Sequence, residues 1–376
     1  YGSGSVSIST SGATADLVVA AGDLNGHPQL QVVHCTANLG TLNLDFSGGL
    51  SSDILNLLKS FFQSDIKTQI QTELVSEVSS YIDTTTNQLL GNMSLSDPIP
   101  VPAPYNIASL EFGLTASPIV DTAFVAAGLQ GEAVPYDPPF TPNPLPNFTA
   151  NAEDRYVQVF VSEYLFNTAA YVYFTAGFLV DTVTASEIPS SVPIALNTKS
   201  FSDISPTLAS KYPNMPMEVK VAAVTSPLLT TATTAVNVSF TLDLAFDVLT
   251  TSGAVNAFTV GGLLSTTFTA SIAGTVGDQV LTGHLDYAGC PVTLRNSTVG
   301  AISDLSLLSP LLDYALGTLF VSTANKFLAY GFPLPSVPGL LLLQPDITIG
   351  DGYLAVGADF SYTPPNPTAW RTRPSR

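Results

Sequence analysis

The chain has 376 residues and a formal net charge of -18, with 45% hydrophobic and 11% charged residues. This charge repels a phosphate backbone, and no run of Lys or Arg offsets it, so composition excludes nucleic acid as a partner. Single hydrophobic cores stop growing at roughly 250 to 300 residues, so the length favours two domains.

The first fifty residues alternate apolar and polar side chains in short runs that are separated by glycine-containing turns. Alternation of this kind predicts an antiparallel meander of strands. The runs span residues 6–10, 15–20, 30–33 and 42–46.

The period changes after residue 51, where apolar residues recur at every fourth position and proline is absent. This pattern predicts a helix over 52–90 with Ser52 or Asp53 as its cap. A strict four-residue stripe advances about 40° per step around a helix, so the apolar face spirals and suits a curved sheet. The stripe comprises Ile54, Leu58, Phe62, Ile66, Ile70, Leu74, Val78 and Ile82.

A second four-residue stripe predicts another long helix, over 304–329. Each predicted helix follows a meander with one cysteine, Cys35 or Cys290, and precedes a Pro-rich turn and strand-like runs. The repeated order predicts a duplicated unit. The second stripe comprises Leu308, Leu312, Leu316, Phe320, Ala324 and Leu328, and the strand-like runs are 105–117 and 119–127 after the first helix and 339–344, 346–349 and 353–362 after the second.

A proline-rich segment at 136–146 separates the two units, because its prolines forbid helix and favour an extended chain. We therefore predict a domain connection there. A short helix over 202–211 and strands at 217–224, 235–249 and 257–273 are predicted within the second unit.

The sequence offers no anchor for catalysis, metal binding or a cofactor. It has no HExxH, CxxC, GxSxG or GxGxxG pattern, and its three histidines have no partner at ligand spacing. An acidic aspartic protease is the best enzyme alternative. Its two tight turns would need a glycine that Asp121-Thr122-Ala123 and Asp181-Thr182-Val183 lack. We therefore expect a protein that is not an enzyme.

Glycosylation motifs indicate the compartment better than the two cysteines do, since two are too few for a disulfide scaffold. Four Asn-x-Ser/Thr motifs in a chain rich in Ser, Thr and Pro favour a secreted, extracellular glycoprotein. The predicted acceptors are Asn92, Asn147, Asn237 and Asn296.

Both apolar stripes allow two interpretations. A wide apolar helix on an apolar sheet either closes a filled core or lines a slot for acyl chains. The candidate pocket residues are Leu58, Phe62, Ile66, Ile70 and Leu74 on the first helix and Leu308, Leu312, Leu316, Phe320 and Leu328 on the second.

Several local motifs, in order along nearly the whole chain, resemble one known family. The carriers are residues 162–169 (Ser-Glu-Tyr-Leu-Phe-Asn-Thr-Ala), 212–215 (Tyr-Pro-Asn-Met), 331–335 (Gly-Phe-Pro-Leu-Pro) and 357–360 (Gly-Ala-Asp-Phe). The chain resembles the lipid-transfer and lipopolysaccharide-binding family, which includes bactericidal/permeability-increasing protein, lipopolysaccharide-binding protein, phospholipid transfer protein and cholesteryl ester transfer protein.

This resemblance implies an α+β boomerang of two pseudo-symmetric barrels joined by a central sheet, each barrel a twisted antiparallel sheet around a long helix. It also implies that a phospholipid tail lies between helix and sheet in each barrel, and that the first barrel is N-terminally incomplete. The corresponding domains are residues 1–135 for the end of the first barrel, 136–152 for the linker, 153–364 for the second barrel and 365–376 for a tail.

Two departures from the family pattern matter. The resemblance implies a disulfide from Cys35 to a helix cysteine near Ser76, where no cysteine occurs, so Cys35 is expected to be a free buried thiol. Residues 1–135 hold two basic and twelve acidic side chains, so this segment cannot supply the cationic tip that grips lipid A phosphates.

The sequence therefore predicts an extracellular protein that binds or transfers phospholipid or another acyl-chain lipid. Its expected partners are that lipid and, transiently, a membrane or lipid-particle surface. Recognition of bacterial lipopolysaccharide in innate defence and a structural duplicate with a filled core remain the alternatives.

Overall fold

The computed structural model describes residues 5–47, 52–99, 108–135, 155–232, 235–333 and 340–363, and the single positions 139, 141 and 145. These residues form antiparallel strands and two long helices, which confirms the predicted α+β class. The chain divides into two compact units, one of residues 1–96 with 112–130 and one of residues 97–111 with 131–376. The domain limits read from the sequence stay a prediction, because most of the proposed linker and all of the proposed tail lie outside the described residues.

The predicted meander is present at the start of the chain. β1 pairs with β4 and β2 with β3, and Asn25 and Gly26, both with positive φ, form the two-residue turn of the second hairpin. The strands before residue 136 are β1 (Ser5–Ser11), β2 (Thr14–Leu24), β3 (His27–Asn38), β4 (Thr41–Ser47), β5 (Ser96–Pro98), β6 (Ser109–Glu111), β7 (Ile119–Val120), β8 (Val125–Ala126) and β9 (Glu132–Val134).

The strand-like runs at 105–117 and 119–127 are much shorter than predicted. β6 has only three residues, and the bond from the Phe112 amide to the Leu95 carbonyl, at 2.9 Å, extends its pairing with the β5 segment by one step. The second run folds back on itself because the Asp121 amide bonds to the Phe124 carbonyl at 2.9 Å, which makes a tight turn between β7 and β8. Residues 105–107 lie outside the described part of the chain.

The first long helix covers the predicted range. It is α-helical over Ser52–Ser80, π-helical over Tyr81–Thr86 and α-helical again over Asn87–Gly91. The sequence pattern did not predict the π-helical segment, a local widening of the helix that is frequent at functional sites.

The second unit is built on a large antiparallel sheet with the order β11-β12-β14-β15-β16-β18, to which β13 and β17 add as partners of β14 and β15. A separate three-stranded sheet has the order β10-β20-β19. These strands are β10 (Val157–Ser162), β11 (Val180–Thr184), β12 (Met217–Ala223), β13 (Leu228–Ala232), β14 (Ala235–Thr250), β15 (Gly253–Ala273), β16 (Val280–Gly289), β17 (Val292–Ser297), β18 (Phe332–Pro333), β19 (Leu340–Gly350) and β20 (Tyr353–Tyr362).

The second long helix begins where Asp304 accepts a hydrogen bond from the Ser306 amide at 2.9 Å. It runs as a 3-10 turn Leu305–Leu308, an α-helix Ser309–Leu312, a π-helix Asp313–Phe320 and an α-helix Val321–Leu328. By length and apolar composition residues 305–326 would suffice to cross a membrane. Several of their leucines belong to the main core of the second unit.

That core lies between the helix and the inner face of the large sheet. Burial alternates along β14, which shows one face turned inward. Three phenylalanines form its aromatic centre, and the rings of Phe246 and Phe258 stack 4.5 Å apart beside Phe201.

Two shorter helices differ from the sequence reading. The family motif at 162–169 opens a helix, Glu163–Thr175, capped where Ser162 accepts from the Tyr164 amide at 3.1 Å. No helix was predicted there, and its aromatic and β-branched residues are of the types enriched in strands. The helix predicted over 202–211 spans only Pro206–Lys211, because Ser205 caps it and Pro206 occupies its first turn.

Candidate functional site

The first long helix rests on β3 and β4 through a small apolar cluster. Leu39, Leu42 and Leu44 are buried there, and Ile66 and Ile70 of the helix pack against them. Two of the predicted pocket residues thus face the sheet, as the four-residue stripe requires.

Polar side chains fasten the same half of the helix to the sheet backbone. The Lys67 ammonium donates to the Gly40 carbonyl at 2.5 Å, and the Gln71 amide donates to the Ala37 carbonyl at 2.6 Å. Residue numbers rise along the helix while those of the bonded strand residues fall, so the helix runs antiparallel to β3.

A second fastening lies near the helix end. The Asn87 side chain accepts from the Leu30 amide at 2.8 Å and donates to the Leu30 carbonyl at 2.7 Å. One Asn therefore satisfies both backbone groups of a single strand residue.

The two fastenings enclose a stretch where helix and strand run side by side. From Gln71 to Asn87 an α-helix would advance about 24 Å at 1.5 Å per residue, and the wider π-helical segment Tyr81–Thr86 shortens this somewhat. From Ala37 back to Leu30 the strand covers about 23 Å at 3.3 Å per residue. The stretch is lined by half-buried apolar groups, including Val75 of the helix and Val32 and Cys35 of β3. We call this strip between helix and strand, bounded by the Gln71–Ala37 and Asn87–Leu30 hydrogen bonds, the apolar course.

The remaining predicted pocket residues of the first helix do not share one environment. Leu74 is 43% exposed and Val78, next in the stripe, is 38% exposed. The side chains of Leu58 and Phe62 lie outside the described part of the structure.

The predicted pocket residues of the second helix lie in the interior. Leu308, Leu312, Leu316 and Phe320 are all buried in the main core of the unit. Leu328 is partly buried and packs against a second cluster, which also contains residues of β13, β14, β19 and β20. Their role as a lipid pocket stays a prediction, since the same burial serves a packed core.

The second helix is fastened to its sheet by the same device as the first. Asn325 accepts from the Leu285 amide at 2.7 Å and donates to the Leu285 carbonyl at 2.9 Å. Nearby, the Tyr287 hydroxyl donates to the Asp313 carboxylate at 2.9 Å.

Two groups at this contact have shifted acid–base behaviour. Burial, reinforced by the hydrogen bond to Asp313, raises the pKa of Tyr287 well above its ordinary value. Burial, with the nearby Asp313 charge, raises the pKa of Cys290 to about 11. In both cases burial disfavours the charged form of the group. Cys35 and Cys290 are both free thiols and half-buried.

The family-like motif at 162–169 holds strands together. Asn167 accepts from the Leu229 amide at 2.7 Å and donates to its carbonyl at 3.1 Å. The Thr168 hydroxyl accepts from the Ala133 amide at 3.0 Å. These contacts give the motif a structural role in joining β13 and β9 to its helix.

The motif at 357–360 also has a structural explanation. Asp359 accepts from the Arg155 guanidinium at 2.8 Å, and Asp346 lies 3.3 Å from the same group. A Cβ added to Gly357 would come within 3.0 Å of the Arg155 side chain, so glycine leaves room for this ion pair.

The other two motifs form turns. Asn214 adopts positive φ, and the neighbouring Met215 amide bonds to the Thr198 hydroxyl at 2.9 Å. Gly331 also has positive φ, and an added Cβ would lie 2.9 Å from the Leu281 carbonyl. These residues position the backbone, so the motifs that carry the resemblance do not themselves line the apolar course.

Three of the four predicted glycosylation acceptors are described, and all three are exposed. They are Asn92 after the first helix, Asn237 on β14 and Asn296 on β17, whereas Asn147 lies outside the described residues. Within the part of the chain that the structure describes, no group of three His, Cys, Asp or Glu side chains could hold a metal ion.

Comparisons with known proteins define the class. Residues 105–362 match the LBP / BPI / CETP family, C-terminal domain. Bactericidal permeability-increasing protein of Sebastes schlegelii is 27% identical, with 96% of this chain and 75% of the relative covered. Lipopolysaccharide-binding protein of Bos taurus is 29% identical, with 90% and 69% covered.

A solved structure agrees with these sequence matches. The crystal structure of lipopolysaccharide binding protein superposes with a TM-score of 0.52 at 22% identity, covering 96% of this chain and 77% of that chain. The fold is therefore the one seen in that protein. The chain belongs to the LBP / BPI / CETP family, which confirms the resemblance read from the sequence motifs.

Proposed function

We propose that the chain binds acyl-chain lipids, with phospholipid as the main class, in the space between a long helix and the sheet that it crosses. The observation that carries this proposal is the apolar course of the first unit, where helix and β3 are fastened at both ends and lined by apolar side chains between. Membership of a family whose relatives include proteins named for lipopolysaccharide binding supports it.

Burial of apolar surface supplies the binding energy for such a ligand. Each methylene moved from water into an apolar course contributes about 0.8 kcal/mol, so a few acyl chains suffice for tight binding without specific polar contacts. The head group then remains at the polar end of the course, where it sets lipid preference.

The chain acts as a carrier and not as an enzyme in this proposal. Lipid should pass between vesicles chemically unchanged, and chromatography of the lipid before and after incubation checks this. The exposed positions of Asn92, Asn237 and Asn296 suit an extracellular, glycosylated carrier that touches membranes or lipid particles transiently.

Recognition of bacterial lipopolysaccharide is the second candidate, favoured by the names of the relatives. The first 135 residues oppose it, because twelve acidic and two basic side chains produce a field that repels anionic lipid. Zwitterionic or neutral lipid is the better substrate for this segment.

A pair of substitutions in the first helix tests the proposal. Val75→Asp places a carboxylate among the half-buried apolar groups between the helix and β3, whereas Ser76→Asp adds the same charge at an exposed neighbour. Uptake of a fluorescent phosphatidylcholine should fall at least ten-fold in the first variant and remain unchanged in the second. Loss in neither variant, or no uptake by the unmodified chain, would contradict the proposal.

A further inference from the structure

The two units share one local frame around the fastening asparagine. Asn87 brackets Leu30 of β3, and Asn325 brackets Leu285 of β16, each through the amide and the carbonyl of that leucine. Leu30 and Leu285 are candidates for equivalent positions of the predicted duplicated unit; because Asn167 makes the same two bonds to Leu229, the equivalence also needs the strand register.

The register of the neighbouring strands supports this equivalence independently. In the first unit Val33 has no partner, because Val32 and His34 pair with consecutive residues of β2. In the second unit Ala288 is skipped in the same way between Tyr287 and Gly289. Each bulge lies three residues after its bracketed leucine, and each cysteine lies five residues after it. A bulge fixes which side chains face inward, so matching bulges give matching inward faces.

One inward position differs sharply between the units. Two residues after the bracketed leucine, the first unit has Val32 and the second has Tyr287. The Tyr287 ring lies against Gly317 of the second helix, where an added Cβ would be 3.2 Å away. Its hydroxyl reaches one turn further, to Asp313 at 2.9 Å.

The helix side of the contact differs in a complementary way. Gly317 lies eight residues before Asn325, and the residue eight before Asn87 is Ser79. The second unit thus combines a large side chain on the strand with the smallest residue on the helix. The first unit has smaller side chains at the positions that correspond by this count, Val32 on the strand and Ser79 on the helix.

We propose that Tyr287 is a specificity-determining residue that fills, in the second unit, the space that an acyl tail takes in the first. This inference rests on the proposed lipid-binding function. It restricts the acyl tail to the space between helix and strand in the first unit and excludes it from the equivalent space in the second. Because the ring lies against Gly317, it occupies the contact between helix and strand in the second unit, and the bond to Asp313 is not needed for this.

Counting lipids on the whole chain tests this. The purified chain is stripped of lipid on a hydrophobic resin, incubated with dipalmitoyl phosphatidylcholine vesicles and examined by native mass spectrometry. The unmodified chain should carry one lipid, and Tyr287→Ala should carry two. Tyr287→Phe keeps the ring but loses the bond to Asp313, and should still carry one.

A reciprocal variant works on the other unit and does not depend on the second unit tolerating a cavity. Val32→Tyr combined with Ser79→Gly copies the closed contact into the first unit, and should abolish lipid binding while the circular dichroism melt stays within a few degrees. Two lipids on the unmodified chain, a second lipid on Tyr287→Phe, or a lipid retained by the reciprocal variant would overturn the inference. No lipid on the unmodified chain or on any variant would contradict the proposed function itself.

Discussion

The two long helices have the same apolar spacing but very different surroundings. Leu308 and Leu316 of the second helix are completely buried, whereas Leu74 and Val78 of the first are 43% and 38% exposed. The second helix is covered by a large antiparallel sheet, and the described strands near the first helix form two-stranded pairs.

This difference shows that a stripe specifies which face of a helix is apolar but not how completely it is covered. Coverage depends on how many strands reach the helix and how long they are. The leucine, bulge, cysteine and asparagine have the same spacing in both units. The units differ in how much of the helix the sheet covers and in the residue at Val32 or Tyr287.

The two helices should differ most in how much stability is lost when an aspartate is placed on the apolar stripe of each. Phe320→Asp puts a carboxylate into the main core beside the Phe240 ring, and should lower the free energy of unfolding by several kcal/mol. Leu74→Asp, at a partly exposed position, should cost about 1 kcal/mol or less. Urea unfolding of both variants measures the contrast. Equal losses would mean that the two stripes are equally enclosed.

Replacing either fastening asparagine should cause a smaller loss of stability, and the loss should be similar in the two units. Asn325→Ala leaves the amide and carbonyl of Leu285 unpaired and should cost about 1–3 kcal/mol, with a matched loss for Asn87→Ala at Leu30. Amide hydrogen exchange at the bracketed leucine should rise in each variant. Unchanged exchange at either leucine would show that its asparagine does not fasten the helix.

Sequence reasoning predicted the elements whose periodicity is strong. The alternating runs became β1 to β4, and the four-residue stripes became the two long helices. It missed the helix Glu163–Thr175 because that segment is rich in residues that favour strands, and its helix is held by contacts such as Asn167 with Leu229. Long-range contacts of that kind have no local signal.

The candidate site was predictable in part for the same reason. The stripe identified Ile66 and Ile70 as facing the sheet. It could not identify Asn87 or Asn325, because a bracketing hydrogen bond depends on which strand residue lies opposite. The cysteines and the duplicated order were the only sequence signals near Tyr287, and no pattern distinguished it from Val32 before the bulges were known.

The acidic surface of residues 1–135 should make vesicle binding depend on the charge of the lipid head group. Because residues 1–135 are strongly acidic, vesicles of phosphatidylserine or lipopolysaccharide should bind more weakly than phosphatidylcholine vesicles at low salt. The difference should shrink above about 0.1 M salt, where screening acts beyond about 10 Å. Co-sedimentation across a salt series measures it. Tighter binding to anionic vesicles that weakens with salt would point to basic contacts and to the lipopolysaccharide alternative.

The smallest effect concerns Cys290. Its pKa is raised from 9.0 to about 11, so the folded state disfavours the thiolate. The associated stability is fully present below pH 9 and is lost as the pH rises toward 11. Alkylation by iodoacetamide, followed by peptide mass spectrometry, should show half-maximal reactivity of Cys290 near pH 11. The Cys290→Ser variant identifies the signal of Cys35, and a midpoint near pH 9 would contradict the burial of this thiol.

The central claim is that an acyl tail lies between the first long helix and β3. A phosphatidylcholine with a diazirine near the end of one acyl chain, bound to the chain and then irradiated, tests it most directly. Peptide mapping should place the crosslinks on the helix between Gln71 and Asn87 and on β3 between Leu30 and Ala37, and Val32→Tyr with Ser79→Gly should remove them. Crosslinks found only on other segments, or unchanged in that variant, would contradict the account.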